Sequence, residues 1–130
     1  MTRPMPRPTE SELAILNVLW HQGSATVREV YETLYRDDGG GYTTALKLLQ
    51  VMHVKGLVER DDSQRAHVYR AVISKDAAQQ RLMSELVERV FDGRRTDLVL
   101  HALGSGDAPN PEELRQIREL LTQLERDAHA

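Results

Sequence analysis

Apolar positions near the start of the chain recur at helical spacing. Over residues 9–22, Leu13, Leu16 and Trp20, helped by Ile15 and Leu19, form a stripe that one helix face would bury. Thr9, with Glu12 three residues on, is a capping box: the threonine side chain accepts from a first-turn amide while the glutamate accepts from the threonine amide. Gly23 ends this helix. The same pattern returns at Thr26 and Glu29, followed by Val27, Val30, Tyr31 and Leu34 on one face of a second, shorter helix. Residues 37–41, two aspartates and three glycines, break it with a turn in which glycine can take positive φ. A third helix is expected to open at Tyr42, Thr43 or Thr44 and run to Lys55, with Gly56 as its left-handed stop.

Beyond Gly56 the pattern changes. LVERD and AHVYRAV carry β-branched and aromatic residues and are joined by the polar DDSQR, which predicts a two-stranded hairpin. Ser74 caps a long helix to about Phe91, on which Leu82, Leu86 and Val90, with Met83, Val87 and Phe91, make a broad apolar face. A further helix is expected from Thr96 to Leu103, followed by the linker GSGDAPNP. The last helix opens with Asn110 as cap, Pro111 at its first position and Glu113 completing a third capping box. Its apolar residues Leu114, Ile117, Leu121 and Leu124 are spaced three, four, three. Fewer than two heptads cannot hold a coiled coil alone, so this seam must pack on the same chain or on a second copy.

Three short helices followed by a hairpin is the order of a winged helix-turn-helix, whose third helix enters the DNA major groove. Here one face of that helix carries Thr43, Lys47, Gln50 and Val54, and the other carries Ala45, Leu48, Leu49 and Met52. The second set packs and the first is free. Tyr42, Thr43 and Thr44 bring hydroxyls and first-turn amides to the positive end of the helix, where a phosphate binds. Lys47 can donate to guanine and Gln50 can pair with adenine, while Arg65 at the hairpin tip is placed to grip a flanking phosphate or minor groove. A plainer alternative makes Thr43 and Thr44 only a helix cap and Lys47 a solvated lysine.

Composition narrows the choice. The 130 residues, 40% apolar and 28% charged, suit one domain or a small domain with a helical appendage. The net charge of −3 argues against a uniformly basic nucleic-acid coat protein. Within 39–70, however, Lys47, Lys55, Arg60, Arg65 and Arg70 face only Glu59, Asp61 and Asp62. The negative excess lies in the second half. The lack of cysteine excludes thiolate metal sites, disulfides and thiol nucleophiles, and is compatible with a reducing cytoplasm. His21, His53, His67, His101 and His129 have no paired ligand spacing, so no metal is expected. No nucleophile elbow, P-loop or dinucleotide motif is present, so neither an enzyme site nor a cofactor is expected. No apolar run approaches the length of a membrane span, and MTRPMPRPTE has no signal core, so no membrane insertion is expected.

The blocks PTESELAILNVLW, ATVREVYETL, GYTTALKLLQVMHVKGLVER and RAHVYRAVIS resemble, in order, those of the penicillinase-repressor family of bacterial transcription regulators, the BlaI/MecI/CopY group. The resemblance covers about residues 8–127. It implies a mainly α protein, a homodimeric repressor of a palindromic operator, with an N-terminal winged helix-turn-helix and a C-terminal helical dimerisation domain. The operator contact of the family's YTT transfers to Tyr42, Thr43 and Thr44. The resulting division is an arm over 1–8, a winged helix over 9–73 and a dimerisation domain over 74–130, joined to its copy through Leu82, Leu86, Val90, Leu114, Ile117, Leu121 and Leu124. Departures fall in the third helix, where Leu46, Lys47 and Val51 stand for a frequent Lys, Thr and Arg, and in the hairpin, where Gln64-Arg65 keeps the cation but changes the turn. Antibiotic-responsive members act with a membrane sensor protease and are cut at an Asn-Phe bond; His101-Ala102 occupies that position here. The competing function is a winged-helix protein-interaction module that does not touch DNA, and a third is a ligand-sensing or metal-dependent regulator.

Overall fold

The computed structural model describes residues 7–130; most of the arm expected over 1–8 lies outside the described residues. Helix α1 (Glu10–Gln22) and helix α2 (Val27–Leu34) begin at the expected capping boxes. In both, the threonine oxygen accepts from the glutamate amide at 3.2 Å while the glutamate accepts back from the threonine amide. Between them, strand β1 (Ala25–Thr26) escaped the pattern. Two residues are too few to reveal a period of two.

The turn after α2 uses its glycines differently from one another. Gly39 takes a φ of +75° as expected, but Gly40 is needed for space, since a Cβ there would stand 2.9 Å from the Tyr35 ring. Helix α3 (Tyr42–Lys55) follows and stops at left-handed Gly56. Strands β2 (Val58–Asp61) and β3 (Val68–Ala71) form the expected hairpin. Because β1 pairs with β3 as well, through Ala25 with Tyr69 and Thr26 with Val68, the sheet is three-stranded in the order β1-β3-β2 rather than a lone hairpin.

Ile15, Leu16, Leu19, Val30, Ala45, Leu49, Met52, Leu57 and Tyr69 are the heart of one core beneath these helices and the sheet. Leu13 and Trp20, expected within it, are half-buried. The Trp20 indole N–H donates to the Ile73 carbonyl at 2.9 Å, fixing the exit from β3. Glu12 is also buried, at 2% exposure, and accepts from Lys55 Nζ at 2.9 Å through both carboxylate oxygens. This pair ties the first turn of α1 to the last of α3. Burial alone pushes the Glu12 carboxyl up, but the Thr9 amide and the Lys55 ammonium together hold it below its ordinary value.

Helices α4 (Lys75–Val90), α5 (Arg95–Gly104) and α6 (Pro111–Ala128) complete the chain, and the Asn110 capping box forms as expected. The protein divides into two compact units between Arg81 and Leu82, inside α4, eight residues beyond the boundary expected from sequence. In the second unit Val87 is the one buried apolar residue.

Candidate nucleic-acid interface

The third helix is held by its inner face. Ala45, Leu49 and Met52 are fully buried and Leu48 is half-buried, which turns Thr43, Lys47, Gln50 and Val54 outward. Val54 is 87% exposed, and the side chains of Thr43, Lys47 and Gln50 make no hydrogen bond or ion pair within the described protein. Of the two apolar departures, Leu46 leans on the core while Val51 stays exposed.

The start of α3 differs from that of α1, α2 and α6. Its N-cap is Gly41, which has no side chain to offer, and the first amide to be satisfied is that of Thr44, on the Gly41 carbonyl at 3.1 Å. Thr43 and Thr44 therefore sit inside the first turn and are not its cap, which removes the plainer account of these two threonines. Tyr42 is steadied by Tyr31 of α2, ring edge to ring face, with centroids 6.1 Å apart at 77°.

The positive window is smaller than it looks in sequence. Lys55 is committed to Glu12, Arg60 to Asp62 at 2.6 Å and Arg70 to Glu59 at 3.0 Å. Lys47 and Arg65 are the two cations of that window left without a carboxylate partner among the described residues. Arg65 lies on the wing, the loop between β2 and β3, and lines a groove with Tyr42, Leu46 and Arg28. In sequence, Arg28 in the first turn of α2 is indistinguishable from an ordinary solvated residue, because Glu32 stands four positions on as its i,i+4 partner.

In the second unit, Leu86, Val90, Leu114, Leu121 and Leu124 are exposed, and Leu82 and Ile117 are half-buried. His101 and Ala102 are exposed within α5, where the His101 ring lies 5.4 Å from that of Phe91. Among the described residues, no group of three or more histidines and carboxylates gathers as a metal site, and no helix is long and apolar enough to cross a membrane.

The family model described as penicillinase repressor matches residues 8–123. The chain belongs to the penicillinase repressor family. A relative in that family, the transcriptional regulator BlaI of Mycobacterium tuberculosis, is 29% identical over 123 residues, which is 93% of this chain and 87% of the relative. Among solved structures, the DNA binding domain of the repressor BlaI is similar at a TM-score of 0.50 and 23% identity, over 57% of this chain and 90% of that domain. The oxidised form of MarR from E. coli reaches the same TM-score at 17% identity, over 89% of this chain and 74% of its own. At these identities the two structures attest the winged-helix fold alone. As a member of the penicillinase repressor family, this protein is a winged-helix transcriptional regulator and not an enzyme.

Proposed function

We propose that the protein is a homodimeric DNA-binding repressor that reads a two-fold symmetric operator. Each copy sets α3 into a major groove, with Lys47 and Gln50 facing base edges and Tyr42, Thr43 and Thr44 facing the backbone at the helix start, while Arg65 of the wing holds a flanking phosphate. The observation that carries this reading is the outer face of α3. Its polar side chains are exposed and unpartnered while the other cations of residues 39–70 are held in ion pairs, so that of this window Lys47 and Arg65 remain for an external anion. Family membership supports the same role.

Dimerisation belongs to the mechanism. Two recognition helices about 34 Å apart reach successive major grooves, and one small module buries too little surface to discriminate among genomic competitors. The exposed seam of α6, Leu114, Leu121 and Leu124 with half-buried Ile117, and the Leu82, Leu86 and Val90 face of α4 are its proposed contacts. A sensor protease acting at His101-Ala102 is a proposed partner in induction. The bond lies within α5, so that helix would have to open before cleavage. N-terminal sequencing of fragments after co-expression with such a protease tests it.

The central test is a fluorescence anisotropy titration against duplexes selected from a randomised library. Lys47→Ala is expected to weaken the selected duplex about tenfold and to relax its sequence preference. Equal affinities for wild type and variant would remove Lys47 from the site. A wild type whose affinity does not fall with salt would instead favour the protein-interaction alternative.

A further inference from the structure

A groove of about 390 Å³ opens between the first turn of α2, the first turn of α3 and the wing. Its lining is chemically divided. Val27, Leu46 and Ala66 are apolar, whereas Arg28, Tyr42 and Arg65 carry donors, and no carboxylate lines it, although Asp62 lies 3.6 Å from the lining residue His67. Arg65 has no ion-pair partner among the described residues, and Arg28 has only a loose one, Glu32 at 3.6 Å, with both side chains exposed. An exposed pair of this kind is too weak to withhold Arg28 from a stronger anion.

Two guanidiniums beside an apolar surface fit a particular shape of ligand. A bare inorganic anion would leave Leu46 and Ala66 uncovered, and a neutral apolar ligand would leave both cations unanswered. A sugar-phosphate unit meets both demands, since its phosphate accepts from the guanidiniums while the C–H face of its sugar covers the apolar side chains. We propose that this groove seats one sugar-phosphate unit of duplex DNA, with Arg28 and Arg65 donating to the phosphate. The proposal rests on the DNA-binding role above and adds Arg28 to it. The contact positions the winged helix on the backbone and carries no base preference.

The test is a set of salt titrations on the full-length protein with two probes, a duplex selected from a randomised library and a scrambled duplex of equal length. Arg28→Ala is expected to bind both about five- to tenfold more weakly, with the slope of log affinity against log salt smaller by about one. Arg28→Lys keeps the wild-type slope. Glu32→Gln, which frees Arg28, tightens binding about twofold in the wild type and less when Arg28 is already alanine. Unchanged affinity and slope for Arg28→Ala, beside a salt-dependent wild type, overturn the groove assignment and leave the DNA-binding role standing. A loss confined to the selected duplex also overturns it, because Arg28 would then read bases. A wild type without salt-dependent binding overturns both.

Discussion

Up to Arg81, the helices α1–α3 and the sheet close over one shared core, and nearly every buried apolar side chain of the described protein is found there. From Leu82 onward the apolar content does not fall away, yet Val87 alone is buried, while Val90, Leu100, Leu120, Leu121 and Leu124 are more than half exposed. Three α-helical segments there keep most of their apolar stripes in contact with solvent. The first unit has the means to stand by itself, and the second has a surface that a second copy would cover. If the protein dimerises as proposed, intrinsic stability lies in the first unit and assembly in the second.

The sharpest way to break this contrast is to damage the interior that exists. Leu49→Ala removes a fully buried side chain at the centre of the first unit and should lower its unfolding free energy by about 3 to 4 kcal/mol. Urea denaturation should record that loss equally at low and high protein concentration. Concentration dependence of this loss would mean that the first unit also relies on a partner.

Somewhat smaller is the expected effect of Lys55→Ala, about 2 to 3 kcal/mol at neutral pH, because the Glu12 carboxylate is left buried without its cation. The Glu12 carboxyl is held lower in the folded chain than in the unfolded one, where it titrates at the ordinary value of a free glutamate. Its stabilisation is therefore complete above that value and is lost as pH falls through the lower, folded value. Denaturation midpoints measured from pH 7 down to pH 3 should converge for variant and wild type at the acid end.

Leu121→Ala addresses the other unit. It should cost about 1 to 2 kcal/mol of association free energy per copy and leave the urea transition of the first unit in place. Sedimentation equilibrium across a range of loading concentrations would register the change, and an unchanged oligomer would remove this seam from the interface. The smallest effect is expected at Asn110→Ala, about 1 kcal/mol, which removes the side chain that accepts from the Glu113 amide at 2.8 Å. Loss of helical circular dichroism without change in the first unit would place that cost in α6.

The parts of the fold that were legible in the chain are those that local chemistry dictates. Thr9 with Glu12, Thr26 with Glu29 and Asn110 with Glu113 each marked a helix start because the reciprocal hydrogen bonds span only three residues. The inner face of α3 was legible for the same reason, as Ala45, Leu49 and Met52 follow helical periodicity. What escaped depends on distant partners. In sequence Glu12 is a capping residue, but its second partner, Lys55, is 43 positions away. β1 is a strand only because β3 returns beside it. The window of five cations shrank to two unpaired ones for the same reason, since sequence counts charges and not their partners.

Thr26 has a consequence for motion. It is the last residue of β1, paired with Val68 in the wing's inner strand, and at the same time the N-cap that opens α2. No spare residue separates the sheet from the helix, so the chain has no hinge there. The base of the wing and the helix-turn-helix should exchange their amide hydrogens as one cooperative unit. Their relative orientation is then fixed during folding, and the conformational entropy of aligning them is not charged to the encounter with DNA.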